Sequence, residues 1–320
     1  MYRLGVALGG GGMKGWAHVG VLRVLGDIGL TPDVVAGTSA GALIGAFWAA
    51  GMPVDEMMRV MREQKTRSLF SWRFDGQGLF STDGMRAYLD RHFGERTFAD
   101  LERPFFVVAT DLERGREVVL REGRIVDALL ASTAMPGIFA PVEHKGMLLV
   151  DGGVVNNVPV SVLTGAGARY TIAVRLHDPV HTAPLRRMPM AAAGSAGSAG
   201  AARAAGAADG TGGAVPIAPD DSVSVSLWAG RLMRRFRPDA STVPGGLDVA
   251  GRALDILASR VESACLQLVP PDVLISPDVA RFGTLSFAEE KEWIYRCGVD
   301  AAEMKREALV GLAARLAGSH

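Results

Sequence analysis

Two short segments carry residues that could perform hydrolytic chemistry. Residues 37–41 read Gly-Thr-Ser-Ala-Gly, a G-x-S-x-G sequence between the apolar runs 34–36 and 42–48. In a strand–turn–helix context this pattern holds a serine Oγ exposed at the edge of a sheet. Residues 9–15, the glycine loop, read Gly-Gly-Gly-Gly-Met-Lys-Gly, and backbone N–H groups at such a helix start can bind developing negative charge. The sequence therefore predicts a nucleophile, Ser39, beside a backbone anion site.

Each segment also has a simpler interpretation. A serine before an apolar helix is a good N-cap residue, a role compatible with that of a nucleophile. Gly10, Gly12 and Gly15 fit the dinucleotide-binding fingerprint G-x-G-x-x-G, which also needs an acidic residue at the end of the second strand. That strand ends in Ala-Gly-Thr-Ser instead, and no Gly-Lys-Ser/Thr completes a Walker A loop. The two segments together favour a hydrolase over a nucleotide-binding enzyme.

The base that activates Ser39 decides the class of hydrolase. Asp151 ends the apolar run 147–150 and precedes two glycines that permit a tight turn. Because the carboxyl ends of parallel strands share one edge of a sheet, we expect Asp151, Ser39 and the glycine loop to converge there. An apolar wall that raises the pKa of Asp151 would make its carboxylate a better base, and residues 147–150 are apolar. An aspartate that only forms a turn or a helix cap is the alternative.

A Ser–His–Asp triad is the main catalytic alternative. In α/β-hydrolases the triad follows the order Ser, Asp, His, and both His177 and His181 come after Asp151. They stand just before a low-complexity stretch, which is a poor place to hold a base within about 0.5 Å of its productive position. His18 falls in the first predicted helix and is interpreted as a partly buried structural residue. We therefore favour Asp151 as the base.

The elements that must position these residues alternate between strand and helix in the first half of the chain. Strands are predicted at residues 4–8, 33–36, 104–109, 147–150, 170–174 and 273–275. Helices are predicted at residues 15–30, from the elbow to residue 51, from residue 53 onward, and at 247–269 and 288–316. This alternation predicts an α/β fold with a mostly parallel sheet covered on both faces.

One stretch breaks the alternation. Residues 190–215 are nearly all Ala, Gly and Ser, a composition too poor in bulky apolar side chains to offset the entropy of ordering. We therefore expect one catalytic domain over residues 1–320, with a flexible insertion at about 178–222 and a C-terminal helical part at about 247–320.

Three elements in this order resemble the motif set of the patatin-like phospholipases. They are residues 10–15 (Gly-Gly-Gly-Met-Lys-Gly), residues 37–41 and residues 151–153 (Asp-Gly-Gly). The small-residue and proline segment 131–141 is similar to the segment that the family places between elbow and aspartate. The resemblance implies a three-layer α/β/α sandwich with a mostly parallel central sheet.

The resemblance also implies an activity and the residues that carry it. Family members hydrolyse acyl esters of lipids with a Ser–Asp dyad, which implies activity of the phospholipase A or lysophospholipase type. Ser39 is then the nucleophile, Asp151 the base, and the N–H groups of Gly10, Gly11 and Gly12 the oxyanion hole. A non-catalytic patatin-like scaffold with a regulatory role is the alternative outside enzymes.

Two features depart from the family pattern. Many bacterial members carry Arg at the position of Lys14, and Lys keeps the charge but lacks the bidentate fork. Lys14 is therefore only a candidate anion contact. Residues 178–246 have no counterpart in the family pattern.

Composition limits the partners and the compartment. Lys+Arg and Asp+Glu balance at 34 each, which does not indicate nucleic-acid binding. Two cysteines, Cys265 and Cys297, are too few for a disulfide framework and are predicted to be buried thiols. The chain shows no signal-peptide pattern, and its longest apolar run, residues 40–52, is shorter than the ~20 residues that span a bilayer. We expect a cytoplasmic protein that needs neither a cofactor nor a metal.

Two segments indicate contact with a lipid surface. Residues 69–80 are rich in aromatic side chains, and residues 226–237 form a basic amphipathic pattern. Packing on the protein core explains segment 69–80 equally well, and it is the more common role of a helix such as segment 226–237. The expected substrate is a lipid or another acyl ester, and the expected location includes the inner membrane surface as a peripheral protein.

Overall fold

The computed structural model describes residues 2–64, 69, 71–72, 80–176, 246–282 and 290–318. The strands are β1 (Tyr2–Leu8), β2 (Val34–Thr38), β3 (Ser71–Trp72), β4 (Phe80–Ser81), β5 (Phe105–Asp111), β6 (Arg116–Leu120), β7 (Val142–His144), β8 (Met147–Asp151), β9 (Ala168–Val174) and β10 (Val273–Ile275). The helices are α1 (Trp16–Asp27), α2 (Ala40–Ala49), α3 (Val54–Glu63), α4 (Asp83–Phe93), α5 (Ile125–Ser132), α6 (Val160–Gly165), α7 (Gly246–Leu268), α8 (Lys291–Glu303) and α9 (Arg306–Ala317).

The central sheet is mostly parallel, as the alternation of elements predicts. Its path runs β10-β9-β1-β2-β5-β8-β7, and β6 also pairs with β5. The five strands from β10 to β5 are parallel neighbours. By contrast, β6, β7 and β8 join by antiparallel pairing. The short strands β3 and β4 form a separate antiparallel pair.

The pairing along β5 determines where the strands end. Residues 105–108 of β5 pair with β2, residues 109–111 pair with β8, and residues 107–111 pair with β6. A strand has two edges. One edge of β5 is occupied by β6, and β2 and β8 therefore lie end to end along the other. The two strands run in opposite directions, so their carboxyl ends meet beside residues 108 and 109.

Both faces of the sheet are covered by apolar side chains. The larger core cluster joins the sheet to α1–α5 and to the C-terminal helices α8 and α9. The smaller cluster lies on the other face, where Val160 and Leu163 of α6 and Leu266 of α7 pack against the strands. This is the three-layer α/β/α sandwich that the motif resemblance implies.

Helices α1 and α8 cross at very close range within the larger core. A Cβ atom on Gly20 of α1 would overlap the carbonyl oxygen of Tyr295. A Cβ on Gly298 of α8 would overlap the carbonyl oxygen of Ala17. Because each glycine faces the backbone of the other helix, neither position has room for a side chain.

Several predicted features differ from the structure or lie outside it. The helix predicted at 288–316 is two helices, α8 and α9, separated at residues 304–305. The insertion at 178–222 and the basic segment 226–237 lie outside the described residues, as does most of segment 69–80, although its described ends Leu69 and Phe80 are buried.

Contacts between residues divide the chain into two units, Met1–Ala183 with Ala250–His320, and Pro184–Val249. In the second unit the structure describes only residues 246–249, which begin α7. The expectation of one catalytic domain over residues 1–320 stays a prediction, and the site below lies in the first unit.

Candidate active site

Ser39 lies at the sharp turn between β2 and α2. Its backbone has φ 53° and ψ −120°, a conformation that a residue with a side chain rarely adopts. The side chain is 6% exposed and makes no capping hydrogen bond to α2. The small neighbours are required, because a Cβ on Gly41 would overlap the carbonyl oxygen of Leu8. The geometry is that of a nucleophile elbow, with the serine presented from a strained turn.

The Asp151 carboxyl lies next to the Ser39 side chain, and hydrogen bonding to Ser39 favours its charged form. Its Oδ1 also accepts the Gly153 N–H at 2.8 Å. The carboxyl group is 6% exposed, and burial raises its pKa to about 6, although both hydrogen bonds act in the opposite direction. A carboxylate with that pKa is a better proton acceptor near neutral pH than an ordinary aspartate.

The sequence analysis places Asp151 beside Ser39, but its premise of parallel strands is wrong. Asp151 ends β8, which is antiparallel to β5, with Asp151 opposite Ala109. Thr38, at the end of β2, is opposite Val108 on the same edge of β5. The two carboxyl ends therefore meet head to head rather than side by side.

Two hydroxyl groups that the sequence analysis did not identify hold this junction. The Ser132 Oγ accepts the Ser39 N–H at 2.8 Å and donates to the carbonyl of Val108 at 2.6 Å. The Thr110 Oγ1 donates to the carbonyl of Asp151 at 2.9 Å. Ser132 lies in the segment 131–141 quoted for the family resemblance, so its position could have been suspected from sequence.

The start of the glycine loop is anchored by its backbone. The Gly9 N–H donates to the carbonyl of Val174 at 3.0 Å, and the Gly9 carbonyl accepts from His18 Nε2 at 2.7 Å. His18 is fully buried, and burial lowers its pKa to about 4, so the ring is neutral at physiological pH and its Nε2 carries the proton. It is a structural residue, as predicted, but it is buried completely rather than partly.

Gly10 brings the loop against the nucleophile. A Cβ on Gly10 would stand 3.2 Å from the Ser39 Cβ and 2.5 Å from the Asn157 Oδ1. Its N–H already donates to the carbonyl of Asn157 at 3.1 Å. The Gly10 N–H is therefore already hydrogen-bonded to Asn157. Of the three predicted oxyanion donors, only Gly11 and Gly12 remain candidates.

Lys14 follows in the 3-10 turn Gly12–Gly15 and is buried. Its N–H donates to the carbonyl of Gly11 at 3.3 Å. The predicted anion contact of its ammonium group stays a prediction. The two cysteines, Cys265 and Cys297, are free thiols, and both are partly exposed rather than buried.

The histidines of the alternative triad, His177 and His181, lie outside the described residues. In the described part of the chain, no group of three or more His, Cys, Asp or Glu side chains is arranged to hold a metal ion. The same residues include no helix that is both long and apolar enough to cross a membrane.

The sequence analysis also missed two buried polar residues behind the glycine loop, Asn157 and Glu262. Asn157 Nδ2 donates to the Gly10 carbonyl at 3.4 Å and to Glu262 Oε2. Glu262 is 1% exposed and lies on the buried stripe of α7 between Ser259 and Leu266. A charged residue at an apolar position of the helical repeat is the signal that could have identified it.

The structure thus places a serine on a strained turn beside a buried aspartate at one edge of an α/β sandwich. Comparisons with known proteins give the family. The family model for patatin-like phospholipases matches residues 6–164. The chain belongs to the patatin-like phospholipase family.

Three similar proteins illustrate the relationship. An uncharacterised NTE family protein of Mycobacterium bovis is 34% identical over 178 residues, which are 55% of this chain and 49% of the relative. Patatin-like phospholipase domain-containing protein 7 of Rattus norvegicus is 31% identical over 180 residues, 53% of this chain and 13% of the relative. The solved structure of VipD from Legionella pneumophila overlaps 57% of this chain and 51% of its own, with 16% identity and a TM-score of 0.48. The chain thus spans about half or less of the curated relatives that it matches.

Proposed function

We propose that this protein is a serine hydrolase of lipid acyl esters, of the phospholipase A or lysophospholipase type, with Ser39 as nucleophile and Asp151 as base. The observation that carries the proposal is the placement of Ser39, on a strained turn, beside the buried Asp151 carboxyl, where the carboxyl ends of β2 and β8 meet. The family's description as phospholipases supports the lipid substrate.

The first half-reaction acylates the serine. Asp151 accepts the hydroxyl proton as the Ser39 Oγ attacks the ester carbonyl carbon. The oxyanion of the tetrahedral intermediate accepts hydrogen bonds from the N–H groups of Gly11 and Gly12, and one such donor typically contributes about 3 kcal/mol to the transition state. As the intermediate collapses, the C–O bond breaks and the leaving alcohol takes the proton from Asp151.

The second half-reaction regenerates the enzyme. Asp151, again ionised, takes a proton from a water molecule whose oxygen attacks the acyl carbonyl carbon. The same two N–H groups bind the second oxyanion, and its collapse releases the fatty acid while the proton returns to the Ser39 Oγ. One water molecule is consumed for each ester bond, and the residues end in their starting state.

The test compares ester hydrolysis by four variants with that of the wild type. Ser39→Ala and Asp151→Asn should lose activity by a factor on the order of 10⁴ or more, because nucleophile and base act as a unit. The double variant His177→Ala/His181→Ala should retain it. Asp33→Asn makes the same chemical change at an exposed carboxylate that accepts the Arg3 and Leu4 amides, and should also remain active.

The substrates should include p-nitrophenyl esters of short and long acyl chains, a phosphatidylcholine and a lysophosphatidylcholine. Turnover of a phospholipid or lysophospholipid that is lost in Ser39→Ala would support the lipid assignment. An active Asp151→Asn variant together with an inactive double histidine variant would replace the dyad with a Ser–His triad. A well-folded wild type that hydrolyses none of these esters would contradict the proposed activity and favour a regulatory scaffold.

A further inference from the structure

Asn157 links the glycine loop to helix α7. The carbonyl of Asn157 accepts the Gly10 N–H at 3.1 Å. The side-chain amide of Asn157 donates one N–H to the Gly10 carbonyl, over a long 3.4 Å, and the other to Glu262 Oε2. Asn157 therefore contacts both peptide groups that flank Gly10, and Glu262 contacts Asn157 from behind.

The direction of the Gly10 carbonyl decides the direction of the next amide. In a planar trans peptide the C=O and the following N–H point in opposite directions. Because Asn157 holds the Gly10 carbonyl, the Gly11 N–H of the same peptide points away from Asn157. The orientation of the Gly11 N–H is therefore set by Asn157, which lies outside the loop. Gly11 is one of the two amides that remain candidates for oxyanion binding.

Glu262 determines which end of the Asn157 amide faces the Gly10 carbonyl. The oxygen and nitrogen ends of an asparagine amide have nearly the same shape, and their hydrogen-bond partners select between them. In its ionised form the Glu262 carboxylate only accepts hydrogen bonds, so this form holds the NH₂ end of Asn157. With the amide reversed, its oxygen would face both the Glu262 carboxylate and the Gly10 carbonyl, and the Gly10–Gly11 peptide would lose its restraint.

The surroundings of Glu262 are unfavourable for the charged form of its side chain. It is 1% exposed, and burial raises its pKa to about 7 even though Asn157 and Arg175 favour the charged form. Arg175 Nε stands 3.9 Å from Glu262 Oε1, a distance that gives charge compensation but no hydrogen bond. A buried carboxyl group with this cost and a direct bond to Asn157 indicates a role beyond packing.

We propose that Glu262 is a positioning residue for the oxyanion hole: it orients the Asn157 amide, which in turn orients the Gly10–Gly11 peptide. This inference rests on the proposed hydrolase activity. In this role Glu262 acts through Asn157. The two residues are 105 positions apart in sequence, so the tie joins α7 to the loop that follows β1.

The first test separates the transition state from substrate binding. Glu262→Met keeps the side-chain volume and removes the acceptor. It should lower kcat for a p-nitrophenyl ester by about 10–100-fold with KM within about threefold, since only the oxyanion contact is lost. The affinity for a trifluoromethyl ketone, which forms an oxyanion adduct with the serine, should fall by the same factor.

Two further variants and a control sharpen this test. Glu262→Gln keeps one acceptor oxygen but removes the charge and adds an NH₂ group, and it should give a smaller loss in the same direction. This variant covers the case in which Glu262→Met fails to fold. The double variant Glu262→Met/Asn157→Ala should be no worse than Asn157→Ala alone, because both act on one peptide. Leu266→Ala, on the same helix, should lower the Tm without changing kcat or the affinity for the ketone.

A second readout does not depend on activity. Amide hydrogen exchange of the peptide that contains residues 9–12 should become faster in Glu262→Met and stay unchanged in Leu266→Ala. A wild type without ester hydrolysis would contradict the proposed function, and the exchange comparison would still decide the role of Glu262. Wild-type exchange in Glu262→Met, additive losses in the double variant, or equal effects of Leu266→Ala would overturn the inference.

Discussion

Two of the crowded places that glycine occupies in this protein differ in why they need it. At the crossing of α1 and α8, a Cβ on Gly20 or Gly298 would overlap the backbone of the opposite helix. At the active site, a Cβ on Gly10 would press on the side chains of Asn157 and Ser39. The crossing thus needs glycine for packing of the core, whereas the loop needs it to keep polar groups in register. Stability should depend on the first region and activity on the second.

The polarity of the two regions differs in the same way. The crossing is part of the apolar core, and burial of the apolar surface there stabilises the fold. The active site instead buries Ser39, Asp151, Asn157 and Glu262, and burial raises the pKa of both acids. Burial of ionised groups is unfavourable for the folded state. The active site should therefore be a place where loss of function can bring a gain of stability.

The largest effect that this comparison predicts is that of the substitution Asp151→Asn. Its pKa rises from 3.8 in the unfolded chain to about 6 in the folded one, so the folded state binds the proton more tightly. Tighter proton binding stabilises the folded state below pH 4. This contribution to the free energy of unfolding, roughly 3 kcal/mol, is lost as the pH rises through 6. Asp151→Asn should therefore unfold at a higher urea concentration than the wild type at pH 8 and at the same concentration near pH 4, while its hydrolysis falls by a factor on the order of 10⁴. If Asp151→Asn and the wild type had equal stability at pH 8, burial of the ionised carboxyl group would not be unfavourable, which would contradict this prediction.

The same pKa predicts the pH dependence of the wild type. Asp151 must be ionised to accept the Ser39 proton, so kcat/KM should fall about tenfold per pH unit below about pH 6. The measurement is a kcat/KM profile with a neutral ester from pH 4.5 to 8.5. A flat profile across pH 6 would mean that another group is the base.

Gly10→Ala tests the glycine loop and should have the next largest effect. The added methyl group would stand 2.5 Å from Asn157 Oδ1 and must displace either Asn157 or the loop peptide. We expect kcat to fall about 100-fold, comparable with the loss of one oxyanion donor, with a Tm close to that of the wild type. Ester kinetics and thermal unfolding measure the two quantities, and a large loss of Tm with unchanged kcat would reverse the assignment.

Gly298→Ala makes the same chemical change at the helix crossing and serves as the matched contrast. Its methyl group meets backbone of α1, which cannot move as a side chain can. We expect a loss of about 2–3 kcal/mol in the free energy of unfolding, from overpacking, with kcat per folded molecule unchanged. Urea unfolding combined with active-site titration would show whether the two glycines separate stability from activity.

The sequence predicts the local part of the site well and the long-range part poorly. Ser39 and the glycine loop are each framed by a strand and a helix adjacent in sequence, so their pattern is readable. Asp151 lies beside Ser39, but at the end of an antiparallel rather than a parallel strand, because pairing direction depends on contacts that a strand pattern does not contain. Asn157 and Glu262 were missed because only the fold brings α7 against the loop.

The central claim is that the Ser39 hydroxyl is the group acylated in turnover. The most direct measurement is to react the protein with a fluorophosphonate and to map the modified residue by tandem mass spectrometry, with Ser39→Ala as control. The account predicts one adduct per chain, on Ser39, with labelling much slower in Asp151→Asn. An adduct on another residue, or labelling that survives in Ser39→Ala, would contradict it.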